Sequence, residues 1–188
     1  MKKSPIHTAF ESCLSILLIA GIIIGTLQLN AAETPTTITW DALISEDYSL
    51  DAKMAEYQKQ MEEFEEDDPE AEIFYRQILV ELSDAPVNQK IDKKWIKLAG
   101  FIAPLHYDYD LVTEFLFVPY FGACIHVPPP PVNQVVLVKT ASGHAIPLEE
   151  AFIPIWVSGQ IRVEGEKTEI GEAGYRIEDA TIEPYVGK

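Results

Sequence analysis

Cys124 and His126 are separated by one residue inside YFGACIHVPPPPVNQ (Tyr120–Gln134). In an extended segment, residues i and i+2 point to the same face, so a thiolate and an imidazole would converge there. These two groups are the preferred ligands of zinc, and they suit copper as well. Two ligands do not hold an ion. His106 is the first choice for a third, with His144 or a carboxylate of Asp108, Asp110 or Glu114 as further donors. The bland alternative is a buried cysteine packing as a small apolar group, with His126 capping a turn or bonding a carbonyl. A cysteine–histidine nucleophile is a further chemistry, but no orienting third group or oxyanion donor can be named for it. Thiol redox cycling lacks a resolving partner, because the other cysteine is Cys13. No catalytic set therefore emerges, and the chain reads as a non-enzyme.

Pro128–Pro131 follow this pair at once. Such a run favours a stiff polyproline II conformation and donates no backbone hydrogen bonds. It can hold Cys-x-His rigidly, connect two strands, or offer a surface to aromatic grooves. Asn133 and Gln134 carry amides that suit the unpaired carbonyls of the prolines.

The elements that must position this cluster are mostly strands. Trp95–Ala103 alternates Ile96, Leu98 and Ile102 against Trp95, Lys97 and Phe101, with Gly100 marking a bulge or a close approach. Glu114–Val118 and Gln134–Lys139 are short apolar runs. In Ile153–Val163, Ile153, Ile155, Val157, Ile161 and Val163 form one face, and Gly159 falls on it as a bend. The last strand starts with Tyr175 and Ile177 and resumes with Ala180 and Ile182. That phase flip needs an extra residue near Asp179, a bulge. Five short strands with glycine bends predict a small OB-like β-barrel, with a β-sandwich as the alternative.

A helical pair precedes the strands. Leu50, Met54, Tyr57, Met61 and Phe64, spaced 4, 3, 4 and 3, predict one packing face. Asp68-Pro69 predicts a capped second start, followed by a buried face of Ala71, Phe74, Ile78, Leu79 and Leu82. The acidic run Glu62–Glu72 lacks the ligand alternation and turn glycine of a calcium loop and reads as a solvated junction. Trp40, Leu43 and Ile44 are expected to latch onto the main domain. The predicted divisions are 1–32, 33–86 for leader and helices, and 87–188 for the barrel.

Residues 1–32 carry Lys2 and Lys3, an uncharged apolar run Cys13–Leu27, and Ala31-Ala32. This describes a secretory signal peptide; the 21 uncharged positions from Ser12 to Ala32 also allow an uncleaved membrane anchor. Either reading predicts a periplasmic location. Net charge is −16, of which the first 32 residues contribute +1, so the remainder carries −17. Such a surface repels phosphates and anionic lipid headgroups, which argues against nucleic acid and membrane-surface partners. Basic proteins and cations are compatible with it.

The stretches WIKLAGFIAPL, TEFLFVPYFGACIHVPPPPVNQVV and PIWVSGQI resemble the exported bacterial family known as domain of unknown function 3299. The likeness spans Trp95 to Ile182, with the Trp40 region as an outlying element. It implies a periplasmic, barrel-like domain in the company of metal-related transporters, and brings no established activity. Two functions follow: an accessory protein handling a metal ion, zinc first, for a transport system; or a non-catalytic module docking on a membrane transporter complex or a periplasmic protein.

Overall fold

A computed structural model describes residues 34–65, 68–123 and 130–186. The expected targeting segment lies outside them. No helix among the described residues is long and apolar enough to cross a membrane.

The chain enters the fold as a strap. Thr36–Thr37 (β1) pairs in parallel with the start of Trp95–Asp108 (β2). A 3-10 turn over Trp40–Leu43 follows and turns its apolar residues inward. The Trp40 indole donates to the Ala99 carbonyl at 2.7 Å, and its ring stacks at 5.3 Å on Phe117. Leu43 is fully buried in the barrel core. The latch expected of Trp40 and Leu43 is thus present. Tyr175, also buried, reinforces it: its hydroxyl donates to the Leu43 carbonyl and accepts from the Asn88 amide at 2.6 Å.

Leu50–Met61 (α1) and Pro69–Ser83 (α2) form the helical pair. Asp68 caps α2, its carboxylate accepting from the Glu70 amide at 2.9 Å with Pro69 in the first turn. Tyr57, Ile78 and Leu82 make a small separate core, joined by Leu50 and Phe74. The expected face of α1 is only partly used: Leu50, Tyr57 and Phe64 pack toward α2, while Met54 and Met61 are exposed.

The remaining strands are Leu111–Val118 (β3), Val136–Thr140 (β4), Ile146–Pro147 (β5), Ile155–Arg162 (β6), Glu166–Lys167 (β7), Glu172–Ala173 (β8) and Tyr175–Pro184 (β9). Four of them close a barrel with β2, in the order β2-β6-β9-β4-β3 and back to β2. All neighbours are antiparallel except β4 and β9. In chain order the barrel strands are therefore arranged 1-2-3-5-4, with the third and fifth parallel, which is the OB-like arrangement.

Closure depends on β2 serving two neighbours. Residues 95–100 pair with β6, and residues 101–108 pair with β3. Gly100 stands at the switch. A Cβ there would lie 2.6 Å from the Val118 carbonyl oxygen, 2.8 Å from Trp40 and 2.9 Å from Phe117, so its role is close approach. Gly159 does the same on β6, where a Cβ would meet the Ile177 side chain at 2.4 Å. The phase flip in β9 occurs at Asp179, which has φ +51°, and the pairing register with both β4 and β6 shifts there. Inward alternation of Ile96, Leu98 and Ile102, Phe115 and Phe117, Val136 and Val138, and Val157 and Ile161 fills the interior.

Candidate functional site

The outer face of β2, β3 and β4 is unusual for an acidic surface protein, because it too is apolar. Ala103, Leu116 and Leu137 stand opposite one another across the three strands and are buried. Val118, Ala123, Val135 and Ala173 join them in a second buried cluster, flanked by Phe101 and Leu105. Of the connection between β3 and β4, Ala123 and Val135 belong to this cluster, Pro130 and Pro131 are buried, and Val132–Gln134 form a 3-10 turn.

Pro131, with φ −60° and ψ 152°, has the extended geometry expected of the proline run. The amides that follow act differently from the expectation. Asn133 donates to the Pro86 carbonyl at 3.0 Å, and Gln134 donates to the carbonyls of Trp40 at 2.9 Å and Asn133 at 3.0 Å. It is the Gln134 backbone amide that reaches Pro131, at 2.7 Å. The side chains instead tie the end of the loop to the strap and to Pro86, three residues beyond α2. Gln134 accordingly belongs to a buried turn and not to the strand predicted to begin with it. Asn133 is fully buried, and its Oδ1 accepts no hydrogen bond among the described residues.

Of the expected metal ligands, Cys124 and His126 lie outside the described residues. His106 is exposed near the end of β2, opposite Glu114 on β3 and flanked by irregular register on both sides. Glu114 in turn faces Lys139 on β4. His106 therefore stands on the same strands as the apolar outer face, one row beyond Ala103 and Leu116. His144 sits in the turn after β4; its Nδ1 accepts from the Ile182 amide at 3.4 Å, so it serves that turn. Among the described residues no three histidine, cysteine or acidic side chains are grouped as a cation site.

A different feature emerges beside this face. Phe121 packs edge-on against Phe101 at 6.0 Å and against Phe152 at 6.4 Å. Phe121 and Phe152 nonetheless stay 59% and 65% exposed, a large apolar area left in water. From Phe152 the surface continues into a cleft of 610 Å³ lined by Asp110, Leu111, Pro147, Leu148, Glu149 and Phe152. The cleft is built by the β3–β5 pairing, which sets Leu111 against Pro147, and by the Leu148 amide donating to the Asp110 carbonyl at 2.8 Å.

Charge is distributed unevenly around it. Between Lys97 and Arg162 the sequence holds a single Lys or Arg, Lys139. Asp108, Asp110, Glu149 and Glu150 are exposed, and none of them takes part in an ion pair among the described residues. Elsewhere several acids do find partners: Arg176 is paired with Glu166 and Glu178, Lys90 with Glu46, and Lys167 with Glu172. Sequence reasoning passed over the aromatic band, since Phe121 and Phe152 are 31 positions apart and meet through the fold. The cation-poor interval was the available signal.

The fold and this surface define a class: a closed, OB-like barrel held by an N-terminal strap, with a second apolar cluster on its outer face and an aromatic patch beside an acid-lined cleft. The chain belongs to the family described as "Protein of unknown function (DUF3299)", whose profile matches residues 40–184. The match begins at Trp40, so it includes the Trp40–Leu43 turn of the strap. A crystal structure of a family member from Pseudomonas aeruginosa PAO1 is similar at 37% identity and a TM-score of 0.59. It covers 82% of this chain and 99% of the other. No curated protein matches the chain.

Proposed function

We propose that this protein is an exported, non-catalytic interaction module that docks on a protein partner through the aromatic end of its barrel. The observation that carries this reading is the Phe121–Phe152 contact, two phenylalanines touching each other while more than half exposed. Large apolar patches on a soluble surface are characteristic of binding sites, and aromatic residues dominate the energetics of such interfaces. Export is supported by the charge and hydropathy pattern of residues 1–32. A photo-crosslinking residue placed at Phe152 in intact cells should trap one discrete partner, and the same residue at Val80 on α2 should not. Absence of any Phe152-dependent adduct would overturn the reading.

A second reading, zinc handling by Cys124, His126 and His106 for a transport system, draws support from one observation. His106 lies on β2 three residues beyond Ala103, whose buried cluster also holds Ala123, the residue before Cys124. Native mass spectrometry of the protein isolated from periplasm tests it. One bound zinc, lost in Cys124→Ser and in His106→Ala, is the expected result; protein that arrives metal-free and takes up none refutes it.

A further inference from the structure

We infer that the cleft between Leu111, Leu148 and Phe152 seats an apolar side chain of a cationic protein segment. This deepens the docking reading and rests on it. The argument combines shape and charge. The floor and walls are Leu111, Pro147, Leu148 and Phe152, and the two polar lining residues are Asp110 and Glu149, both acidic. Asp108 and Glu150 extend the acidic rim. Lys139 is the single Lys or Arg in the sequence from residue 98 to 161, and among the described residues no ion pair neutralises Asp108, Asp110, Glu149 or Glu150. The partner that completes the site must bring the positive charge. An anionic lipid surface or a nucleic acid would add like charge to it.

The ligand class is thus a peptide segment with an aliphatic or aromatic anchor flanked by Lys or Arg. The anchor displaces water from the cleft, and the flanking cations pair with Asp110 and Glu149. Apolar contact supplies persistence, while the charges set orientation and speed of encounter. The exposed Phe121 ring beyond Phe152 extends the footprint for a second anchor.

The test uses the full chain in detergent, titrated by isothermal calorimetry with the capped hexapeptides KKLFKK, KKSSKK and EELFEE. KKLFKK should bind at least about tenfold more tightly than either of the others, since both anchor and charge are required. Raising ionic strength from about 0.02 to about 0.5 M should weaken it by about tenfold as the Debye length contracts. The pair Asp110→Asn with Glu149→Gln should flatten that salt dependence. Phe152→Ala should weaken binding at every salt concentration and leave the salt slope intact. Equal binding of EELFEE would overturn the inference, and so would KKLFKK binding that both variant sets leave unchanged. That last result would place the peptide outside the cleft. If Phe152 crosslinks a partner in cells while KKLFKK does not bind, the ligand class is wrong and the docking reading survives. If neither occurs, both fall.

Discussion

Replacing Tyr175 by Phe removes one oxygen from the junction between strap and barrel. The hydroxyl donates to the Leu43 carbonyl and accepts from the Asn88 amide, and all of this is buried. Loss of a buried hydrogen-bonded group costs about 1–3 kcal/mol when its partners are left unpaired. Here the partners are not fully orphaned, because the Asn88 amide also reaches the Leu43 carbonyl at 3.2 Å. The expected cost is therefore in the lower half of that range, about 1–1.5 kcal/mol. For a unit of this size that lowers Tm by about 2–6 °C. Alkaline pH provides an independent signature. Burial pushes the Tyr175 phenol up from 10.0 to about 12 in the folded protein, while the Asn88 amide opposes the shift. The neutral phenol thus contributes its stability fully below pH 10, and that contribution is lost as pH rises toward 12. Thermal unfolding of both proteins, followed by near-ultraviolet circular dichroism at pH 8 and at pH 11, reads both effects. The gap between wild type and Tyr175→Phe should shrink at the higher pH. Hydrogen exchange at the Asn88 amide should accelerate in the variant. An unchanged Tm with unchanged exchange would refute the claim that this hydroxyl fastens the strap.

Gly100→Ala should destabilise by about 3 kcal/mol, because a methyl group cannot be accommodated without backbone movement. Combining it with Trp40→Ala should not restore stability, since the Val118 carbonyl remains 2.6 Å from the new carbon; equilibrium denaturation of the single and double variants checks this. Asp179→Val should cost about 1–2 kcal/mol for holding a branched residue at positive φ, whereas Asp179→Gly should be neutral within a few tenths of that. Urea midpoints of the two variants give the comparison, and equal midpoints would deny the bulge its conformational role. Asp68→Ala should cost the first turn of α2 about 1 kcal/mol, seen as about fivefold faster amide exchange there.

Much of the barrel was legible in the sequence because its rules are local. Alternation along β2 and β6 follows from strand geometry, and the Asp179 bulge follows from counting residues in one strand. The Asp68-Pro69 cap acts within a single turn. The coarse picture of a helical pair before a small OB-like barrel needed no more than this. Other features depend on which distant segments meet. Gly100 could mark a bulge or a close approach until Trp40 and Val118 were found against it. Gln134 looked like the first residue of a strand, and only its bond to Trp40, 94 positions away, explains why it is buried. Met54 and Met61 shared a periodic face with Tyr57, yet nothing arrived to cover them. The Phe121–Phe152 contact exists because β6 starts opposite Gly100 on β2, next to Phe101, on which Phe121 also packs, a meeting no local pattern encodes. The cation-poor stretch from residue 98 to 161 was written in the chain all along. It became a binding argument once the fold gathered its acids around a cleft.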